Sequence, residues 1–153
     1  MNIKAYLERI NYHGPLAPTA ETLRELQVAH LLAVPFENLS IHAKEPIVLE
    51  DQALFTKIVE RKRGGFCYEA NGLFAALLRE LGFDVVMLSA GVANAEGSFG
   101  PDFDHMALMV VLDQRWLVTQ ALAIRSLSRC CLTTVASKCR EHPLTAFLPT
   151  ALT

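Results

Sequence analysis

The spacing of the apolar residues changes after Gly82, and that change constrains the fold more than any other feature. Up to Gly82 the apolar residues recur every three or four positions, as they do at Leu73, Leu77 and Leu81. From Phe83 onward they recur at every second position. The first spacing is that of one helix face and the second is that of one strand face. The pattern therefore predicts an α+β fold, with helices first and an antiparallel sheet after them.

Four helices are predicted before this change, each bounded by residues that start or stop a helix. Thr19 and Asp51 are expected to cap the second and third helices, because their side-chain oxygens can accept hydrogen bonds from free N–H groups. Gly82 is expected to follow the fourth helix in the left-handed conformation. The helices are expected to end at Gly14–Pro15, before Pro35, at residues 61–63 and at Gly82.

Three strands of a meander are predicted after the change, over residues 85–92, over residues 105–112 and from Trp116. The alternation stops at Thr119, and the residues beyond it show no periodic spacing. The chain is accordingly divided into a helical bundle at residues 1–82, the start of an antiparallel sheet at residues 83–118, and a tail at residues 119–153 that is expected to lack fixed structure.

The composition suits a protein with a buried core and argues against some classes of partner. Apolar residues make up 52% of the 153 residues, the formal net charge is −2 and the pI is about 6.2. Neither nucleic acid nor a membrane surface is therefore expected as a partner. No apolar run approaches the roughly 20 residues of a membrane-spanning helix, and the charged N-terminus does not resemble a signal peptide. The chain is expected to be cytoplasmic, with its four cysteines present as thiols.

Cys67 is the first candidate for chemistry. It follows two glycines, which allow a sharp turn, and stands in the first turn of the fourth predicted helix. Free N–H groups and the helix dipole at that position favour an anion, so the pKa of the thiol is expected to be lowered, with possible help from Arg63. The alternative is that Cys67 is a small buried core residue, and the local sequence does not decide between the two.

His105 is the second candidate, because a histidine at the start of a strand and beside a loop is well placed to act as a base. A helix-start cysteine with a strand-start histidine is the layout of papain-like thiol enzymes, although a single histidine is more often structural. A carboxylate from a neighbouring strand would complete a triad. The residue that follows the third strand is Thr119, and Asp104 is expected to point to the face opposite His105.

A zinc site is an alternative interpretation of the tail. Its potential ligands include no C-x-x-C pair, so no metal is predicted there. The chain also contains no phosphate-binding loop and no dinucleotide-binding fingerprint. The potential zinc ligands are Cys130, Cys131, Cys139 and His142.

Six segments of the chain carry a family resemblance. They are Y-L-E-R-I at 6–10, H-L-L-A-V-P-F-E-N-L at 30–39, K-I-V-E-R-K-R-G-G-F-C-Y-E-A-N-G-L-F at 57–74, L-G-F at 81–83, G-P-D-F-D-H at 100–105 and W-L-V at 116–118. With these segments, residues 1–118 resemble an arylamine N-acetyltransferase of the bacterial type. The resemblance implies a helical bundle, then a β-barrel, then an α/β lid. It also implies a ping-pong reaction, in which a cysteine thiolate takes an acetyl group from acetyl-CoA and passes it to a small arylamine, arylhydroxylamine or hydrazine.

The resemblance also implies roles for individual residues. After W-L-V the family has an aspartate that completes the triad, and in this chain Thr119 stands in its place. The third member of the triad is therefore absent, and the activity of this chain is expected to be impaired. The implied roles are acetylated nucleophile for Cys67, base for His105, aromatic-substrate contact for Phe36, and a supporting charged pair for Arg63 and Glu37.

A frameshift between Val118 and Thr119 would explain the lost pattern and the missing aspartate together. If one G is restored at a GTG-GAC junction, with TTG for Leu122, CTN for Leu127 and AGY for Ser128, the recovered frame permits D-A-G-F-G-D-S-F-x-E-P-L. That is the form of the family's own continuation. On this hypothesis the tail is out-of-frame translation, and the rest of the barrel, the lid and the coenzyme-binding segment are missing. The alternatives are an inactive fragment or non-catalytic homologue, and a Cys–His thiol hydrolase.

Overall fold

Helices come first in the structure and an antiparallel sheet follows them, which confirms the predicted α+β class. The computed structural model describes residues 1–91, 98 and 100–120, together with the backbone of residues 140–141. The helices are α1 (Ile3–Arg9), α2 (Ala20–Ala33), α3 (Leu39–His42), α4 (Asp51–Phe55), which continues as a π-helical turn (Thr56–Glu60), and α5 (Cys67–Glu80). The strands are β1 (Asp84–Ala90), β2 (His105–Val111), β3 (Arg115–Val118) and β4 (Arg140–Glu141).

Two of the three predicted helix-boundary residues act as expected. The side-chain oxygen of Thr19 accepts a hydrogen bond from the amide of Thr22 at 3.2 Å and so caps α2. Gly82 follows α5 with a φ of +88°, in the left-handed region. The prediction that Asp51 caps α4 is wrong. Glu50 is the N-cap, without a side-chain hydrogen bond, and Asp51 is the first helical residue, where its charge is favourable to the helix dipole.

The sequence pattern does not reveal two of the helical elements. The four residues of α3 are too few for helical spacing to show. The π-helical turn follows α4 directly, and its wider geometry appears in the hydrogen bond from the amide of Arg61 to the carbonyl of Thr56 at 2.9 Å. Because the apolar stripe continues across this turn, the sequence favours one uninterrupted helix. Such turns are frequent at functional sites.

The register of the sheet brings the end of β3 towards the start of β2. The strand order is β3-β2-β1-β4, with every neighbouring pair antiparallel. Ala90 pairs with His105 at one end of β1 and β2, and Leu108 pairs with Val118 at the end of β3. Because β3 runs antiparallel to β2, the chain after Val118 continues towards His105. Thr119 therefore lies at the end of the sheet that carries His105.

The central element of the core is α5. Eleven of its 14 residues are buried, and it packs against α4, β1 and β2. Leu73, Phe74 and Leu77 have no exposed surface. Removing one such side chain from water stabilises the fold by about 1.5–3 kcal/mol. One hydrophobic cluster joins these helix residues to one face of the sheet, so the two elements that carry Cys67 and His105 share a core.

Arg9 of α1 ties together two chain segments that lead to the candidate site. Its guanidinium donates to the carbonyl oxygen of Ala33 at 2.7 Å, at the end of α2, and to that of Ile58 at 3.0 Å, in the π-helical turn. A cation is favourable beside C-terminal helix carbonyls, and the rigid fork of arginine can reach both. Arg9 thereby fixes the positions from which the chain continues into residues 35–37 and into residues 63–65.

The predicted tail, residues 119–153, lies outside the described residues except for Thr119, Gln120 and the backbone of β4. The four potential zinc ligands of the tail lie outside them as well. Among the helices that the structure describes, none is long and apolar enough to cross a membrane.

Candidate active site

Cys67 begins α5 and is 8% exposed. The chain enters the helix through Gly64 and Gly65, which lie against residues 35–37. The amide of Gly65 donates to the carbonyl oxygen of Pro35 at 3.3 Å. A Cβ atom on Gly64 would lie 1.9 Å from that same carbonyl oxygen, so only glycine permits this approach. The glycine pair thus brings residues 35–37 next to the start of α5.

The thiol of Cys67 is held in its neutral form. Burial raises the pKa of Cys67 and is the largest influence on it, and Asp104 raises that pKa further. Hydrogen bonds from the backbone N–H groups of Met106, Tyr68 and Cys67 itself act in the opposite direction, because they stabilise the thiolate. The prediction that the helix start lowers the pKa of the thiol is therefore wrong in direction. Desolvation outweighs the three N–H groups, and sequence spacing does not report desolvation.

His105 begins β2 and is 6% exposed. Its Nε2 atom lies 3.0 Å from the side-chain oxygen of Thr119. Burial lowers the pKa of His105, and Asp104 offsets part of that effect. The backbone N–H of Met106, the next residue, lowers the pKa of Cys67, and β2 packs against α5. The two candidate residues are thus a neutral thiol and a neutral imidazole at neutral pH.

Asn71 organises the third position of the site, and the sequence pattern alone does not reveal it. It is fully buried and stands four residues after Cys67, on the same face of α5. Its side-chain NH₂ donates to the carbonyl of Met106 at 2.8 Å and to the hydroxyl of Thr119 at 3.4 Å. Its side-chain oxygen accepts from the amide of Gln120 at 2.8 Å. The spacing of four residues from the cysteine is the signal that could have identified it.

Glu37 and Arg63 form a two-point ion pair. The guanidinium of Arg63 donates to the two carboxylate oxygens at 2.9 and 3.2 Å, and the amide of Leu39 donates to one of them at 2.8 Å. The hydrogen bond from Arg63 lowers the pKa of Glu37. The charge of Arg63 is therefore paired with Glu37. From the sequence, Arg63 is expected to help lower the pKa of Cys67, but it is not among the groups that shift that pKa.

Phe36 lies next to the start of α5, the helix that begins with Cys67. Its backbone forms a parallel bridge with Gly65, two residues before Cys67. Its side chain is 57% exposed, so the ring lies at the surface next to the start of α5. An exposed ring of this size in a protein surface is available for contact with an apolar molecule.

A second ion pair, which the sequence analysis did not predict, fixes the start of α5 to the π-helical turn. The ammonium of Lys57 lies 2.7 and 2.9 Å from the two carboxylate oxygens of Glu69, and the side chain of Glu69 is only 3% exposed. Glu69 also accepts from the amide of Phe66 at 3.2 Å, which satisfies one free N–H group at the helix start. A glutamate in the first turn of a helix is the available sequence signal.

The fold and the site together define a class of protein. It is an α+β protein in which a buried cysteine begins a helix and a buried histidine begins a strand that packs against that helix. Within residues 1–91, 98 and 100–120, no group of three or more His, Cys, Asp or Glu side chains is arranged to hold a metal ion.

Comparison with known proteins identifies the family of this chain. Residues 19–127 match the family described as N-acetyltransferase. An arylamine N-acetyltransferase of Gallus gallus, the pineal gland isozyme NAT-3, is 46% identical over 121 residues, which cover 77% of this chain and 42% of that protein. The chain therefore belongs to the arylamine N-acetyltransferase family.

Solved structures agree with this family assignment. The arylamine N-acetyltransferase of Nocardia farcinica superposes with a TM-score of 0.76 at 36% identity, covering 92% of this chain and 47% of that one. The Mycobacterium marinum enzyme in complex with CoA superposes with a TM-score of 0.72 at 38% identity, covering 78% of this chain and 46% of that one. The chain therefore spans less than half the length of these relatives.

Proposed function

We propose that this chain carries the acetyl-accepting site of an arylamine N-acetyltransferase. The sulfur of Cys67 attacks the acetyl carbonyl of acetyl-CoA, the bond to the CoA sulfur breaks, and CoA leaves with the thiol proton. The nitrogen of a small arylamine or hydrazine then attacks the Cys67 thioester, and the cysteine regains a proton from the amine. The observation that carries the proposal is that a buried cysteine begins α5 and a buried histidine begins β2, and that these two elements pack against each other.

In this proposal His105 takes the proton from Cys67. Because Nε2 faces Thr119, the nitrogen available to the thiol is Nδ1. A carboxylate at position 119 would accept a hydrogen bond from Nε2–H and so keep Nδ1 unprotonated. The Thr119 hydroxyl both donates and accepts, so it also allows the tautomer in which Nδ1 carries the proton. That tautomer cannot act as a base, and acetylation is expected to be slower than with an aspartate.

The acceptor is proposed to bind beside residues 35–37. The exposed ring of Phe36 offers an aromatic surface to an arylamine. The Glu37–Arg63 pair holds the segment that carries Phe36. The relative that was crystallised with CoA supports acetyl-CoA as the donor.

Three further features are part of the same proposal. The arrangement of α5 and β2 is taken to be papain-like. The sheet is taken to be the start of the β-barrel that the family resemblance implies. The reaction itself uses no metal, and it is placed in the cytoplasm.

The proposal is tested by looking for the acetyl group on Cys67. The purified chain is incubated with acetyl-CoA and its peptides are analysed by mass spectrometry, with and without an arylamine. Acetyl is expected on the Cys67 peptide, and an arylamine is expected to remove it as the N-acetylarylamine. Cys67→Ser is the control, and the three other cysteines report non-specific acetylation. Equal acetylation of all four cysteines would contradict the proposal.

A second candidate is a non-catalytic homologue or inactive fragment. The observations that favour it are the raised pKa of the Cys67 thiol and the hydroxyl at position 119. A chain that unfolds cooperatively but takes no acetyl from acetyl-CoA at any pH would support this candidate against the first.

We also propose that residues from Thr119 onward are translated in a shifted frame. The support is that Thr119 occupies the position beside His105 where the resemblance implies an aspartate. Sequencing the gene across the Val118 codon tests this. An overlapping frame that encodes D-x-G-F-G is expected, and a gene without one would exclude the frameshift.

A further inference from the structure

Phe103 has a backbone conformation that bulky residues rarely adopt. Its φ is +67°, in the left-handed region, where the Cβ atom crowds the neighbouring carbonyl oxygen. Phe103 stands two residues before His105, in the loop that leads into β2. A conformation of this kind persists only where the surrounding structure holds it. The groups that hold Phe103 therefore also determine where β2 begins.

Two side-chain hydroxyls hold the two backbone polar groups of Phe103. Tyr68 donates its hydroxyl to the carbonyl oxygen of Phe103 at 2.5 Å, and the amide of Phe103 donates to the hydroxyl of Ser89 at 2.8 Å. Tyr68 follows Cys67 in α5, and Ser89 is a buried residue of β1 that pairs with Met106. Burial raises the pKa of Tyr68, so its hydroxyl keeps the proton that it donates.

The loop is also packed closely on the other side of Phe103. The amide of Asp104 donates to the carbonyl of Pro101 at 3.3 Å. A Cβ atom on Gly100 would lie 2.4 Å from the carboxylate of Asp104, so the side chain of Asp104 lies over Gly100. These contacts connect the described residues on the two sides of Phe103.

We propose that Tyr68 is a positioning residue for His105, acting through the carbonyl group of Phe103, with Ser89 as its partner on the amide. By keeping Phe103 in the left-handed region, the two hydroxyls fix the start of β2 relative to the start of α5. Nucleophile and base are thereby held at a constant separation. The inference deepens the proposed function and rests on the pairing of Cys67 with His105.

The pH profile of Cys67 alkylation tests this inference, because the rate reports the thiolate population beside its base. Iodoacetamide is the probe, and modification of the Cys67 peptide is followed by mass spectrometry. Tyr68→Phe and Ser89→Ala each remove one hydroxyl. Each is expected to slow alkylation at neutral pH by about fivefold, the effect of one lost hydrogen bond, and to move the profile to higher pH.

The matched control is Tyr12→Phe. The hydroxyl of Tyr12 also donates to a backbone carbonyl, that of Pro15 at 2.8 Å, and the loss of this bond lies outside the site. The control is expected to leave the Cys67 profile unchanged. Thermal unfolding of every variant is measured first. If Tyr68→Phe does not unfold cooperatively, Ser89→Ala is decisive, because Ser89 is not next to Cys67 in the chain.

A double-mutant cycle separates a positioning role from a general loss of stability. Glycine adopts a positive φ without strain, so Phe103→Gly needs less support from Tyr68. The decrease in the Cys67 alkylation rate caused by Tyr68→Phe is expected to be smaller in the Phe103→Gly background than in the unaltered chain. Equal decreases in the two backgrounds would overturn the inference.

His105→Gln distinguishes failure of the inference from failure of the proposed function. If His105→Gln leaves the alkylation profile unchanged, the Cys67–His105 pairing is wrong and the positioning role falls with it. If His105→Gln shifts the profile while Tyr68→Phe and Ser89→Ala do not, the pairing stands and the positioning role is excluded.

Discussion

Burial acts on both members of the Cys67–His105 pair, and it disfavours the charged form of each. The pKa of the thiol is raised and the pKa of the imidazole is lowered. A thiolate–imidazolium pair is therefore a minor species at neutral pH. It holds as many protons as the neutral pair, so a rise in pH towards the pKa of the thiol increases the thiolate beside a neutral imidazole and not the ion pair. A fixed negative charge at position 119 would offset this penalty, because it stabilises the imidazolium. The Thr119 hydroxyl carries no such charge.

Thr119→Asp is expected to speed the acetylation of Cys67. The carboxylate would select the productive tautomer of His105 and raise its pKa, and comparable triads lose about four orders of magnitude in rate without that charge. We expect a gain of about 10²- to 10⁴-fold in the rate at which acetyl-CoA labels Cys67, measured by mass spectrometry. Thr119→Asn is the control, since it has a similar shape without the charge, and equal rates for the two variants would rule out this account.

Asn71→Ala is expected to lower the free energy of unfolding by about 2–4 kcal/mol. The change leaves the amide of Gln120 and the carbonyl of Met106 without their side-chain partner, and it opens a cavity beside Thr119. Urea denaturation measures the loss. The control is Asn38→Ala, at an exposed position without a side-chain capping bond, where a change within about 0.5 kcal/mol is expected. A similar effect at both positions would contradict the organising role of Asn71.

At the scale of the elements, sequence spacing predicts long helices and strands better than it predicts their junctions. The stripe of leucines and the left-handed Gly82 define α5, and the alternation defines β1 and β2. The π-helical turn is hidden because its apolar stripe matches that of an ordinary helix. The N-cap prediction for Asp51 is wrong because a carboxylate is favourable both at the N-cap and in the first turn, so the sequence does not distinguish the two positions.

The packing of α1 against α2 is expected to weaken on acidification. Tyr6 and His30 are fully buried, with 2.7 Å between the tyrosine oxygen and Nδ1 of His30, and burial lowers the pKa of His30 to about 3 from an ordinary value of 6.5. Between about pH 6.5 and pH 3, His30 therefore binds a proton in the unfolded chain but not in the folded chain. Stability is complete above about pH 6.5 and falls below it, by about 1.4 kcal/mol per pH unit at most, until about pH 3.

Urea midpoints measured across this pH range check the prediction for His30. His30→Gln is expected to be less stable at neutral pH but to lose the part of the acid dependence that His30 causes. His42→Gln, at an exposed position, is the matched control and is expected to keep the full acid dependence. An unchanged dependence in His30→Gln would show that other groups cause the acid loss.

At the scale of the whole molecule, the sequence identifies the family and the residues at the centre of the site. Cys67, His105 and Thr119 come together because α5 and the sheet share one core. The sequence could not predict the direction of the pKa shift at Cys67, nor the contacts of Asn71. Both depend on packing between residues that are far apart in the chain, and local spacing carries no record of desolvation.

Restoring the frame after Val118 is expected to do more than Thr119→Asp alone. The chain spans less than half the length of its relatives, so a single substitution supplies the carboxylate but not the additional residues that the relatives contain. We expect the restored protein to release CoA continuously when acetyl-CoA and an arylamine are both present. The Thr119→Asp chain is expected to acetylate Cys67 with slower transfer to the amine. Equal turnover of the two proteins would show that the additional length is not needed.

The central claim is that Cys67 and His105 act as a pair in accepting an acetyl group. The most direct test is the initial rate at which acetyl-CoA acetylates Cys67 in the unaltered chain and in His105→Gln. The predicted result is site-specific acetylation of Cys67 that becomes slower when His105 is replaced. Acetylation of Cys67 at the same rate in both proteins, or at the rate of the three other cysteines, would contradict it.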